Sequence, residues 1–268
     1  LGTVTELGDD GAPGGTGADA DTGYQAMVLT LGSGAFPPDS TAVEVFIGVG
    51  GVLDDNDTPL VFSDDELNLD AGVGFYASLD NLSLVTLKNN GGTPTDATDD
   101  TSYLGLELSD LSAALVGIDG LTLGVYDAGV KVNQAKDGDT IATNDPEKLN
   151  WETLDTEGMT LPALAVNDGV DVEVYGSLVL DAFGVVLVQG SFKLQLGTVT
   201  ELGDDGAPGG TGADADTTYQ AMALTLGENA FTGAQAVQVF IGVGGVLDDV
   251  ADDDNDADGS FSDDLVDT

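Results

Sequence analysis

Residues Val170 to Leu196 alternate with almost no interruption. The even positions are Val170, Val172, Val174, Gly176, Leu178, Leu180, Ala182, Gly184, Val186, Val188, Gly190, Phe192, Leu194 and Leu196, all apolar or glycine. The odd positions include Asp171, Glu173, Ser177, Asp181, Gln189, Ser191, Lys193 and Gln195. A period of two puts alternate side chains on opposite faces of a strand, so this stretch predicts a sheet whose even residues are buried. Fully extended it would span roughly 90 Å at about 3.3 Å per residue. Strands in globular proteins seldom run that far, so the chain must bend or turn at "DAFG" (Asp181 to Gly184) or at its other glycines.

The same alternation occurs at Val43, Val45, Ile47 and Val49, at Leu104, Leu106 and Leu108, and at Leu121, Leu123 and Val125. Helix signals are almost absent. "NDPEKLNWETL" predicts one short helical turn, with Asp145 as N-cap and Pro146 at the first helical position. The fold class expected is all-β.

A long repeat organises these strands. Leu1 to Gly32 and Leu196 to Gly227 are one segment shifted by 195 residues, differing only at Gly23/Thr218 and Val28/Ala223. "VFIGVGGVLDD" at Val45 to Asp55 returns at Val239 to Asp249. Such near-identity suggests tandem duplication, and a much longer array is the expected source. A weaker half-period aligns Tyr76 with Tyr175, Tyr103 with Tyr219, and Tyr126 with Phe46 and Phe240. It divides the chain into residues 1–72, equivalent to 196–268, and two β units at 73–168 and 169–268. Two architectures fit: an elongated array of long strands, as a β-solenoid or as joined sheets, or a string of β-sandwich domains with Tyr103 and Tyr219 in their cores.

Charge bounds the function. The chain carries 49 Asp+Glu and 5 Lys+Arg, a formal net charge of −44, with no histidine or cysteine. Phosphate recognition needs a basic footprint, so nucleic acid and anionic membrane are not expected partners. No apolar run approaches the roughly 18 residues of a membrane helix. Without cysteine there is neither a disulfide framework nor a thiolate metal site. Without His or Cys the common nucleophile–base pairs are missing, so an enzyme is not expected. Acidic pairs are inevitable at this composition and do not single out a hydrolase site.

Two acidic motifs point to cations. "GGTGADADT" occurs at Gly14 to Thr22 and at Gly209 to Thr217. Its start matches the Ca²⁺-binding nonapeptide GGxGxDxUx, with Asp19 and Asp214 at the aspartate position. The apolar U position is Asp21 or Asp216, and the motif is solitary, so stacked β-roll turns are not expected. The candidate ligands are Asp9, Asp10, Asp19 and Asp21, with Asp204, Asp205, Asp214 and Asp216 in the second copy. The alternative is a solvated acidic turn. "DNDADG" matches the opening of an EF-hand-type loop, with Asp254, Asp256 and Asp258 as alternate carboxylates and Asp263 and Asp264 in place of the missing twelfth-position Glu. Neither glycine-rich copy has the lysine and helix of a phosphate loop.

The near-identical repeats, "GGTGADADT" and "DNDADG" together resemble the acidic tandem repeats of giant secreted bacterial surface proteins, including RTX-type adhesins. That resemblance implies an extracellular or cell-surface stalk, filament or matrix protein rigidified by Ca²⁺, whose partners are other copies of the repeat. A second reading is an adhesin module that binds cell-surface glycan and gains avidity from repetition. Acidity also fits adaptation to high salt.

Overall fold

The structure is a computed structural model. It describes residues 1–8, 11–14, 16, 20–32, 42–91, 95, 97–138, 146–204, 206–207, 211–212, 215–249 and 264–267. Fifteen strands follow in chain order: β1 (Gly2–Glu6), β2 (Thr22–Gly32), β3 (Val43–Val49), β4 (Val52–Asp54), β5 (Glu66–Asn68), β6 (Val73–Asn89), β7 (Thr101–Val116) and β8 (Leu121–Asp137). After them come β9 (Thr156–Gly158), β10 (Val170–Ala182), β11 (Val186–Glu201), β12 (Thr217–Leu226), β13 (Gln238–Ile241), β14 (Val246–Asp249) and β15 (Asp264–Asp267).

Eleven strands form one open sheet in the order β12-β11-β10-β8-β7-β6-β2-β1-β9, with β13 beside β11 and β3 beside β6. Every ladder in it is antiparallel, and half of them join strands adjacent in sequence. Strands β4–β5 and β14–β15 make two separate hairpins. Residues from all three expected units, 1–72, 73–168 and 169–268, enter the large sheet.

The long alternating stretch turns at "DAFG", as one of its expected sites. Phe183 (φ 60) and Gly184 (φ 63) are both left-handed, and Val185 N–H donates to the Ala182 carbonyl at 3.1 Å. Two consecutive left-handed residues make the turn whose twist suits a hairpin. Asp181 Oδ1 also accepts from Gly184 N–H at 2.7 Å. The unbroken parity therefore comes from a hairpin between β10 and β11, since a tight turn can return the chain with even residues still on one face. A stacked solenoid turn would give parallel ladders instead.

The helical turn expected at Pro146 to Leu154 is not formed; Asp145 lies outside the described residues. Trp151 N–H donates to the Val166 carbonyl at 3.0 Å and Asn150 Oδ1 accepts from Glu152 N–H at 3.2 Å. Those bonds satisfy the backbone across a strap, residues 146–168, which lies on the sheet. A single turn of helix has no intrinsic stability to compete with such pairing.

The face covered is also not the one the alternation predicts. Ser177, Val179, Leu187, Gln189 and Ser191, all at odd positions, are buried, whereas Leu178, Leu180, Val186 and Val188 are half-buried and Leu196 is exposed. The strap and a second segment, residues 227–237, lie on the odd face and carry the polar partners that make its burial tolerable. Ser191 Oγ accepts from Gln235 N–H at 2.7 Å and lies 2.7 Å from Ser177 Oγ, and Tyr126 OH donates to Gln235 Oε1 at 3.0 Å.

Candidate interaction surfaces and acidic loops

The sheet is amphipathic in rows that run across its strands. On the face without a strap, Leu29, Leu84, Leu106, Val132, Val172, Leu196 and Met222 stand opposite one another in six successive ladders. One row along, Leu31, Leu82, Leu108, Val130, Val174, Leu194 and Leu224 do the same. Between these rows, on the opposite face, stand Thr30, Ser83, Glu107, Lys131, Glu173, Gln195 and Ala223. Strand alternation thus sorts carboxylates onto one face and leaves two rows of aliphatic side chains on the other, roughly 30 Å across at about 4.8 Å per strand.

The polar row is held by its own chemistry. Gln195 Nε2 donates to Glu173 Oε2 at 2.6 Å, Lys131 Nζ lies 3.9 Å from Glu173 Oε1, and Glu107 Oε2 accepts from Ala165 N–H of the strap at 2.7 Å. Asn133 is the buried anchor. Its Nδ2 donates to the Leu149 and Asn167 carbonyls, both at 2.8 Å, and its Oδ1 accepts from Trp151 Nε1 at 3.0 Å. Trp151 lies over Gly105, where a Cβ would come within 2.6 Å of the indole. Val4 of β1, Tyr24 and Ala26 of β2, and Val85 and Leu87 of β6 complete this core with Leu164 and Val166. Lys148 Nζ donates to the Val170 carbonyl and bonds Asp171 Oδ1 at 2.6 Å, tying the start of the strap to the first residues of β10.

The two copies of the repeat fold alike. Gly2, Thr3, Val4, Thr5 and Glu6 pair with Ala26, Gln25, Tyr24, Gly23 and Thr22, and the residues 195 further on pair in the same register. Tyr24 OH donates to Glu6 at 2.8 Å and Tyr219 OH to Glu201 at 3.0 Å. Gly11 (φ 62) and Gly206 (φ 66), and Gly32 (φ 90) and Gly227 (φ 82), repeat as left-handed glycines. Their surroundings differ. Val4 is 1% and Tyr24 6% exposed; Val199 is 56% and Tyr219 51% exposed. Burial, then the Glu6 hydrogen bond, raises the Tyr24 hydroxyl far above the usual tyrosine value, whereas for Tyr219 the Glu201 hydrogen bond comes first.

Of the expected metal ligands, Asp9, Asp10, Asp19, Asp205, Asp214, Asp254, Asp256, Asp258 and Asp263 lie outside the described residues. Asp264 opens β15 opposite Asp249, and Asp204 is exposed. Asp21 clasps its loop: Oδ2 accepts from Gly14 N–H at 2.7 Å, while Oδ1 is enclosed without a hydrogen-bond partner. Asp216 Oδ1 accepts from Gly203 N–H at 3.1 Å. Among the described residues no three carboxylates converge on one point. The fit to a cation therefore rests on the single open oxygen of Asp21 and a similar one in the β4–β5 loop.

That second oxygen, Asp64 Oδ1, was not legible in the sequence. The loop from Asp55 to Asp65 lacks the glycine of "DNDADG", yet Asn56 (φ 46), Asp57 (φ 61) and Leu60 (φ 76) take left-handed conformations. Asn and Asp tolerate that region; Leu60 is strained there. Asp64 Oδ2 accepts from Thr58 Oγ1 at 2.7 Å and its carbonyl from Asn56 Nδ2, leaving Oδ1 enclosed and open. The β4–β5 and β14–β15 hairpins begin their ladders at equivalent valines, Val52↔Asn68 and Val246↔Asp267, and "DNDADG" lies between β14 and β15 in sequence, outside the described residues.

Four clefts among the described residues are open and measure about 170–370 Å³, and the one of about 220 Å³ beside Tyr24 is lined by Thr3, Thr5, Gly23, Gln25 and Lys88 among others. Comparison with protein-family models, curated proteins and solved structures gives no match.

Proposed function

We propose that this chain is a structural repeat module of an extracellular stalk, filament or surface matrix, rigidified by Ca²⁺ at its acidic loops. The observation that carries the reading is the recurrence of one hairpin, in one register, on strands from both ends of a single open sheet. A sheet that presents the same element on either side is suited to extension by repetition. The two aliphatic rows, free of carboxylates, add a face on which the sheet of another copy can lie. Bound cations would offset the repulsion of a chain with net charge −44 and take the open oxygens of Asp21 and Asp64.

The adhesin reading has less support. Trp151, the single tryptophan, is a strap residue whose indole is buried against the sheet rather than displayed to a sugar. The calcium reading is tested by thermal melts with and without chelator at constant ionic strength. Saturating Ca²⁺ at about 100 times its Kd stabilises by about 2.7 kcal/mol, or roughly 5–10 °C for a chain of this size. An unchanged melt overturns it, and equal stabilisation by NaCl favours salt adaptation instead.

A further inference from the structure

Strand β2 has two neighbours and β12 has one. Strand β2 pairs with β1 and, from Gln25↔Lys88 to Gly32↔Asn81, with β6. Strand β12 pairs with β11 and, among the described residues, with no other strand. Val4, Tyr24 and Ala26 enter the core beside Val85, Leu87 and Trp151. Their counterparts Val199, Tyr219 and Ala221 are the same residues, and the first two stand at the surface. A long edge with free N–H and C=O groups is a template for another strand.

On the repeat-protein reading above, we infer that β12 displaces the β1–β2 hairpin of a second copy of this chain and pairs with that copy's β6, one hairpin exchanged for its near-identical twin. The observed pairing sets the register: Gln220 opposite Lys88, Ala223 opposite Val85 and Gly227 opposite Asn81 of the second copy. Tyr219 meets Tyr103 edge-on, as Tyr24 does at 5.8 Å between ring centres. Val199 takes the place of Val4 in the Trp151 core. Neither Thr217 to Gly227 nor Asn81 to Lys88 contains a carboxylate, so the pairing strands avoid the repulsion that the rest of the chain carries.

Two details differ between the seats. Ala223 replaces Val28 and fills the ladder less fully. At Gly197, the Gly169 carbonyl oxygen lies 2.6 Å from where a Cβ would be; at Gly2 the Met159 sulfur fills that place at 2.7 Å. Met159 of the second copy must therefore shift on docking, which an unbranched thioether does at little cost. The joined sheet repeats β6-β7-β8-β10-β11-β12 and ends in a fresh β12 edge. Such a head-to-tail contact is heterologous, so it grows as a fibre wherever its rotation does not close a ring.

The chain has no cysteine, so disulfide trapping reads this contact directly. Val85→Cys with Ala223→Cys places the two thiols on strands well separated in one sheet but opposite each other in the docked pair. Under oxidation this variant should give a ladder of covalent oligomers that reductant collapses. Val28→Cys with Val85→Cys should close within one chain, showing that the thiol introduced on β6 is correctly placed and reactive, and should give no ladder. Monomer alone from the first variant, with closure in the second, overturns the proposal. Hydrogen exchange on the unmodified chain is an independent arm: amides of Thr217 to Leu226 should exchange about tenfold more slowly or better at high protein concentration than at low. Concentration-independent exchange overturns it equally. Chelator-insensitive melting with an intact ladder would remove calcium and leave the docking; calcium-dependent melting without a ladder would do the reverse.

Discussion

The hairpins β1–β2 and β11–β12 are the same sequence in two settings. Their ladders have the same register, their tyrosines donate to equivalent glutamates, and their flanking glycines share left-handed geometry. One lies beneath Trp151 and against β6; the other ends the sheet with its apolar side chains at the surface. The difference teaches that strand pairing within a hairpin is a local property, whereas burial is conferred by segments distant in sequence.

The largest expected effect tests what buries the first copy. Trp151→Ala removes the indole that roofs Gly105 and leaves Asn133 Oδ1 without its donor. A loss of about 3–5 kcal/mol in denaturant unfolding is expected. A loss below about 1 kcal/mol would mean that the strap does not hold the first hairpin, and the contrast between the copies would fall.

A paired substitution probes the contrast directly. Val4→Ala should cost about 2 kcal/mol, from two buried methyl groups and the cavity they leave. Val199→Ala, the same change at an exposed site, should stay within about 0.5 kcal/mol in dilute solution. Equal costs would break the comparison. A Val199→Ala cost that rises with protein concentration would sharpen it, since that is what docking of β12 predicts.

At neutral pH a further difference between the copies is silent, and alkali brings it out. Burial first, and then hydrogen bonding to Glu6, raises the Tyr24 hydroxyl above its ordinary 10.0; burial and Glu44 push Tyr76 up to about 12. A folded-state value above the unfolded one gives stability that is complete below pH 10 and is lost as pH rises from there through the folded value. Stability measured between pH 9 and pH 12 should therefore fall, by up to about 1.4 kcal/mol per pH unit for the buried Tyr24. The fall from Tyr76 is smaller, because solvent screens its partly exposed hydroxyl. Tyr24→Phe should flatten the fall more than Tyr219→Phe, whose hydroxyl sits on an exposed edge. Equal flattening would show that the two environments are alike in solution.

Several elements were legible in the sequence for reasons that are local. The alternation from Val170 to Leu196 marked β10 and β11, and "DAFG" was among the turn sites because glycine takes a left-handed φ at no steric cost. The repeat of Leu1 to Gly32 at Leu196 to Gly227 was plain in the sequence, and the structure gives both copies the same hairpin register. Others were not legible. Asn133 sits in an alternating strand and gives no signal that it will bond two carbonyls and an indole from a strap beginning thirteen residues later. Asp64 resembles any other carboxylate until the Asp55 to Asp65 loop encloses one of its oxygens. "NDPEKLNWETL" has helix-start chemistry, which lost to pairing with residues near Val166.

The sequence by itself determined that the chain is all-β and that the long alternating stretch turns at "DAFG" or at another of its glycines, because alternation and turn conformation depend on residues close in sequence. Only the tertiary structure decided which face of the sheet is covered. Periodicity can say that two faces differ, but covering a face depends on where residues 146–168 and 227–237 come to rest. Those segments found hydrogen-bond partners on the polar face, at Asn133, Glu107 and Ser191. The aliphatic rows offer no such partners, and among the described residues no strap lies on that face.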